Sequence, residues 1–153
     1  VLSAWTQLEQ ARARRDQVLA ALAPLLRAPL ARDHEALDTL VGVMAQVRAS
    51  VAGVRGKPFV DSAIAVYAAY EIDLAEAWAH VRALIDQAPA DEGARTLASR
   101  LHVELAELEL GSEAVAAARQ WFNLSAMPYD AALLQMPTRL LKPWFGFQAA
   151  GRL

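Results

Sequence analysis

The chain has 153 residues, which is enough for one domain with a substantial core. Hydrophobic residues make up 56% of it, and much of that share is alanine, the strongest helix former, so an all-helical protein is expected. Cysteine is absent, which excludes disulfides and thiolate chemistry. The net charge is −2 and no basic stripe is interleaved with aromatic residues, so we expect no nucleic-acid binding.

The first predicted helix begins near Ser3, a good N-cap residue. Apolar residues and one arginine then recur at helical spacing and predict its buried face: Trp5, Leu8, Ala11, Arg15, Val18, Leu19, Leu22, Leu25 and Leu26. Proline removes a backbone hydrogen bond and clashes with the preceding helical turn. We therefore expect a kink at Pro24 and a break near Pro29.

The second and third predicted helices are separated by the breakers Gly53, Gly56 and Pro58. The second runs from about Leu30 to Ala52. Its predicted buried face is Leu37, Leu40, Val41, Met44, Val47 and Val51. The third is capped by Asp61 and closed by Pro89, and its predicted buried face is Ile64, Tyr67, Ala68, Leu74, Trp78, Val81 and Ile85.

The fourth predicted helix starts at the N-cap residue Asp91 and runs to about Gln135, with weak points at Gly111 and Pro128. Its buried face is Leu97, Leu101, Leu105, Leu108, Val115, Ala118 and Phe122. Short connections make consecutive helices antiparallel neighbours. The sequence therefore predicts one domain over residues 1–153, an all-α antiparallel up-down four-helix bundle with a short C-terminal aromatic tail.

Charge is distributed unevenly along the chain. Residues 1–60 carry eight Lys/Arg against five Asp/Glu, whereas residues 61–113 carry three against eleven. One interpretation is that solvated faces pair between neighbouring helices. The other is an acidic face, formed by the third helix and the start of the fourth, that binds a basic partner.

The start of the chain suggests a missing membrane anchor. No apolar run approaches the roughly 20 residues that span a bilayer, and the chain begins at Val1 rather than Met. We therefore expect that a segment has been removed upstream, either a cleaved tag or a membrane anchor. The arginines Arg12, Arg14 and Arg15, with Asp16, then form either an ordinary charged helix face or a group that orients the anchor and touches anionic headgroups.

Catalytic and metal-binding signatures are missing from the sequence. His34, His80 and His102 lie on three different predicted helices, and none has a Glu three residues before it, as di-metal bundles require. No nucleophile elbow and no phosphate-binding loop is present. We predict a protein that is not an enzyme and has no cofactor, with a ligand- or cofactor-binding bundle (haem or metal) as the alternative.

Two aromatic-polar pairs, Phe122-Asn123 and Tyr129-Asp130, lie seven residues apart. They should share one helix face, because two turns cover about seven residues. Asn123 and Asp130 then either hydrogen-bond to neighbouring helices or offer a polar site to a partner's backbone. The tail segment 144–147, with Leu140 and Leu141, either staples the end of the bundle or forms an exposed apolar patch.

Together these features resemble the LemA family of bacterial membrane proteins. The matching motifs are Ala4-Trp5 with Arg14-Arg15-Asp16, His34-Glu35, Ala118-Arg119 with Phe122-Asn123 and Tyr129-Asp130, and Met136-Pro137 followed by Phe145-Gly146-Phe147. Their order holds over essentially the whole chain. The segment 18–22 departs from the family pattern because it lacks Pro and Asn, so the chain resembles a divergent member.

The resemblance implies a single N-terminal membrane helix, absent from this chain, and a helical bundle facing the cytoplasm at the bacterial inner membrane. It implies no enzymatic activity. By analogy with family members, it suggests a structural or interaction module in membrane organisation or in the assembly of a membrane complex, with an unidentified protein partner.

Overall fold

A computed structural model describes residues 1–55, 61–87 and 92–134. These ranges form four helices: α1 over Leu2–Leu26, α2 over His34–Arg55, α3 over Asp61–Gln87 and α4 over Glu92–Leu134. The all-α prediction is confirmed, and the contacts between helices are those of an up-down bundle.

The boundaries of α1 and α2 differ from the sequence prediction. Val1, not Ser3, stands at the N-cap position of α1, and it makes no side-chain cap hydrogen bond. The helix continues through Pro24 to Leu26, and α2 begins at His34 rather than at Leu30. The break falls around Pro29 as predicted, since proline disfavours a helical conformation in the residue before it.

The four helices form two closely packed pairs, α1 with α4 and α2 with α3. Gly111 on α4 lies directly against Arg15 on α1, because a Cβ added to this glycine would stand 3.4 Å from the Arg15 Cα and Cβ. The predicted weak point at Gly111 is therefore a point of close contact between helices, and α4 passes through it unbroken.

The core lies between the two helix pairs and contains most of the predicted residues that the structure describes, together with the unpredicted Ala4, Val54 and Leu133. The largest fully buried side chains include Tyr67, Phe122, Leu8, Leu40, Ile64 and Leu108. The prediction for Val41 is wrong, because this side chain is 43% exposed. Val41 follows the buried Leu40 directly, and adjacent helical positions point in different directions.

Helix α2 is long and apolar enough, by length and composition alone, to cross a membrane. The expectation that no stretch of the chain approaches this limit was therefore too strict. Six of its residues are buried in the bundle: Leu37, Leu40, Met44, Val47, Val51 and Val54. Core helices of soluble proteins meet the same test, so the finding carries little weight for a membrane location.

Several predicted features lie outside the described residues. They are the helix boundaries at Pro89 and Asp91, the predicted end of the fourth helix at Gln135, and the aromatic tail from Met136 onward, including Pro137, Phe145, Gly146 and Phe147. The breakers Gly56 and Pro58 and the burial of the Leu97 side chain also lie outside the described part of the chain.

Candidate functional site

Among the residues whose burial the structure describes, four charged side chains are buried inside the bundle. Arg12, Arg15 and Asp16 belong to α1, Glu71 belongs to α3, and each is only 6–8% exposed. They lie there because the buried positions of α1 recur at helical spacing through this segment, between Leu8 and Leu19. Buried charges are tolerated only when they are paired.

The four charges form one neutral network. Arg15 donates from Nη1 to Glu71 Oε2 at 2.6 Å and from Nη2 to Glu71 Oε1 at 2.9 Å. It also donates to Asp16 Oδ1 from Nε at 3.3 Å and from Nη2 at 3.1 Å. Arg12 Nη1 completes the network with a 2.8 Å bond to Asp16 Oδ2. Two cations therefore balance two anions, and the Arg15–Glu71 bond joins α1 to α3.

The pairing keeps Arg15 charged despite its burial. Burial alone lowers the pKa of this guanidinium, but the hydrogen bonds and charge of Glu71, followed by those of Asp16, outweigh it and hold the pKa above its ordinary value. Arg15 is thus a permanent cation that cannot exchange a proton with a substrate.

The ring of Trp5 on α1 contacts aromatic rings of α3 and α4 next to this network. It meets Tyr67 of α3 edge-on, with ring centroids 5.8 Å apart, and meets Phe122 of α4 edge-on at 5.9 Å. Such aromatic pairs add about 0.5–1.5 kcal/mol beyond the burial of their area. The aromatic and ionic layers together fix α1, α3 and α4 relative to one another.

Three buried polar atoms next to the network make no hydrogen bond within the described chain: Trp5 Nε1, Arg12 Nε and Tyr67 Oη. Burial raises the pKa of Tyr67 well above its ordinary value, and the neighbouring Glu71 carboxylate raises it further. The Tyr67 hydroxyl therefore stays neutral near pH 7.

A cavity of about 300 Å³ opens beside the ion-pair network, between α1, α3 and α4. Its inner end is formed by Arg15 and Glu71, and Arg119 of α4 lies in its wall. The remaining lining is mostly apolar: Leu19, Leu74, Ala75, Trp78, Leu108, Ser112, Val115 and Ala116.

A second, larger hollow of about 730 Å³ runs along the outside of α1 and α4. Gln10, Arg14 and Gln17 line it from α1, and Glu107 and Leu110 line it from α4, among others. It is an open surface groove with mixed polar character.

The outer side of α4 carries large apolar side chains that are 51–74% exposed. They are Val103, Leu110, Trp121, Leu124, Met127 and Leu134, which we call the α4 outer stripe. At 100° per residue, Val103, Leu110, Trp121 and Leu124 fall on the side of the helix turned away from the buried Leu108, Val115 and Phe122. Met127 and Leu134 lie at the flank of this side. A single exposed apolar residue is ordinary, but a series along one helix face marks a contact surface.

The residues that were singled out in the sequence lie in different parts of the structure. Trp5, Arg15 and Phe122 come together at the buried centre, and Arg119 lines the adjoining cavity. Arg14, His34 and Glu35 are exposed. Asn123, Tyr129 and Asp130 are half-buried, and each has an interaction partner. Because Arg12 and Arg15 are buried, only Arg14 of the three predicted headgroup-facing arginines faces solvent.

Glu71 is the residue that the sequence analysis missed. It lies four residues after Tyr67 and three before Leu74, which is the spacing of the predicted buried face of α3. A carboxylate on that face, with Arg15 on the predicted buried face of α1, was the signal for a buried pair.

Within the described ranges, no group of three or more His, Asp or Glu residues is placed to hold a metal ion. His34, His80 and His102 are all exposed, on three different helices. The buried charged groups of the network bind one another.

Comparison of the chain with models of protein families, with curated proteins and with solved structures finds no match. The likeness to the LemA family therefore rests on the sequence motifs alone.

Proposed function

We propose that this chain is a non-enzymatic interaction module of LemA-like type, held at the bacterial inner membrane by an anchor outside the chain. In this proposal the bundle faces the cytoplasm and binds a protein partner in membrane organisation or in the assembly of a membrane complex. The tether and the topology follow from the motif resemblance, and the interaction role follows from the surface.

The α4 outer stripe is the observation that carries the interaction role. Its six large apolar side chains extend over most of α4. This helix has 43 residues and is longer than α1, which has 25. Exposing them to water is unfavourable by about 25 cal/mol per Å² of apolar area. A partner that covers the stripe would recover this free energy on binding.

The charges beside the stripe favour a basic partner. Glu107 and Glu113 lie on the same helix as the stripe and are exposed. Part of the acidic surface is neutralised within the bundle, since Arg82 of α3 contacts Glu109 of α4 at 3.5 Å. The remaining carboxylates support a partner with an apolar contact surface flanked by Lys or Arg.

The tether is tested by fractionation of the full-length gene product in its own bacterium. We expect the protein in the inner-membrane fraction, resistant to extraction by carbonate or high salt but released by detergent. Recovery in the soluble fraction would contradict the tether. The interaction role of α4 does not depend on this result and is tested by the next experiment.

The interaction surface is tested with Trp121→Gln combined with Leu124→Gln in the full-length protein. Both side chains are more than half exposed, so we expect an unchanged thermal midpoint. The partner complex isolated after crosslinking in cells should be lost. The matched control is Val66→Gln with Ile72→Gln, which replaces two exposed apolar residues of α3 and should keep the complex. Equal recovery from both variants would refute the role of the stripe.

A further inference from the structure

The cavity beside the Arg15–Glu71 pair has the composition of a ligand site. Its volume of about 300 Å³ lies at the lower end of the range for small-molecule sites. Buried side chains form its apolar wall: Leu19 from α1, Leu74 from α3, and Leu108 and Val115 from α4. Trp78, half-buried, adds an aromatic surface.

The cavity opens to solvent between α3 and α4. Ala75 on α3 and both Ser112 and Ala116 on α4 line this side of the cavity, and all three are exposed residues with small side chains. A ligand would enter from this side. Its apolar part would lie against the inner wall and its polar end near Ser112 and Arg119.

The charged residues that line the cavity indicate which class of ligand it binds. Arg15 and Glu71 bind each other at the inner end and contribute no net charge. Arg119 is half-buried and makes no hydrogen bond or ion pair with the rest of the described chain, so it leaves one uncompensated cation in the wall. A guanidinium binds a carboxylate through two parallel N–H···O bonds.

We propose that this cavity binds a small amphipathic carboxylate, with the carboxylate on Arg119 and the Ser112 hydroxyl and the hydrocarbon against the inner wall. The site is separate from the α4 outer stripe, so this inference goes beyond the proposed interaction role and does not depend on it.

Octanoate is the probe, and octanamide is its neutral match with the same hydrocarbon chain. Calorimetric titration of the complete chain should show one octanoate per chain and at least tenfold weaker binding of octanamide. The fluorescence of Trp78, identified by its loss in Trp78→Phe, should change on saturation. No octanoate binding at millimolar concentration, or equal binding of the two probes, would overturn the proposal.

Substitutions distinguish the contribution of the Arg119 charge to binding from that of the apolar wall. Arg119→Met should weaken octanoate at least tenfold and leave octanamide unchanged, whereas Arg14→Met, an exposed arginine outside the cavity, should change neither. Ala116→Trp fills the entrance from an exposed position and should abolish binding of both probes with an unchanged thermal midpoint. Full octanoate affinity in either Arg119→Met or Ala116→Trp would show that the ligand binds elsewhere.

Discussion

The guanidinium of Arg15 on α1 donates two hydrogen bonds, at 2.6 and 2.9 Å, to the carboxylate of Glu71 on α3. Apart from these two residues and the buried Arg12 and Asp16, the surrounding core is largely apolar. A buried ion pair adds little stability over apolar residues of similar size, but losing one member leaves an uncompensated charge. We therefore expect the pair to favour the arrangement in which this part of α1 faces α3.

Glu71→Leu should lower the free energy of unfolding by about 3–5 kcal/mol, because Arg15 keeps its charge without this partner. Arg15→Met combined with Glu71→Leu should restore it to near the wild-type value or above, since Arg12 and Asp16 still neutralise each other. Urea denaturation measures both. The control is Glu9→Gln, which breaks the exposed contact with Arg55 and should cost less than about 1 kcal/mol. A double variant as unstable as Glu71→Leu would contradict this account.

The raised pKa of Tyr67 predicts that the protein loses stability at alkaline pH. Burial and Glu71 raise the pKa of Tyr67 in the folded state, so above about pH 10 the unfolded chain releases this proton while the folded chain keeps it. The free energy of unfolding should then fall by up to about 1.4 kcal/mol per pH unit from this residue. Urea titrations between pH 9 and 11 should show a shallower fall in Tyr67→Phe than in the wild type. Tyr70→Phe retains Tyr67 and should match the wild type; identical slopes in all three proteins would disprove the prediction.

Two adjacent aromatic residues on α4 should behave in opposite ways. Phe122 is 0% exposed and meets Trp5 edge-on, so Phe122→Ala should cost about 3–5 kcal/mol of stability. Trp121 is 54% exposed, and Trp121→Ala should change stability by less than about 0.5 kcal/mol. Thermal and urea denaturation compare them directly. Similar costs at the two positions would mean that α4 is rotated from its position here.

Two helical glycines offer a similar contrast. Gly42 on α2 has open space where a Cβ would stand, so Gly42→Ala should stabilise the protein by about 1 kcal/mol. Gly111 lies against the Arg15 backbone, and Gly111→Leu should destabilise by about 1–3 kcal/mol, since it forces α1 away from α4. Gly42→Leu is the size-matched control and should be tolerated. A tolerated Gly111→Leu would show that the two helices are not in close contact.

The sequence was sufficient to predict four helices and most of the core, because helical periodicity reports which face is buried. Val41 was misassigned because an apolar residue at the edge of the buried face can point to solvent. The start of α2 was misplaced because Leu30 is apolar and buried, yet belongs to the turn after α1.

The site was harder to predict than the fold. Arg15 was placed on the buried face of α1, but its partner lies 56 positions along the chain, a separation at which no local pattern applies. The cavity depends on the spacing between three helices, which periodicity does not report. The exposure of Trp121 beside the buried Phe122 likewise depends on the rotation of α4 within the bundle.

Photo-crosslinking from the α4 outer stripe, with the full-length protein in its native cells, tests the central claim most directly. A photoreactive amino acid replaces Leu124, and in a parallel sample it replaces the exposed Asp73 on α3. We predict a discrete crosslinked protein partner in the membrane fraction from position 124, absent from position 73 and lost when Trp121→Gln is added. The same crosslinks from both positions, or none from position 124, would contradict the account.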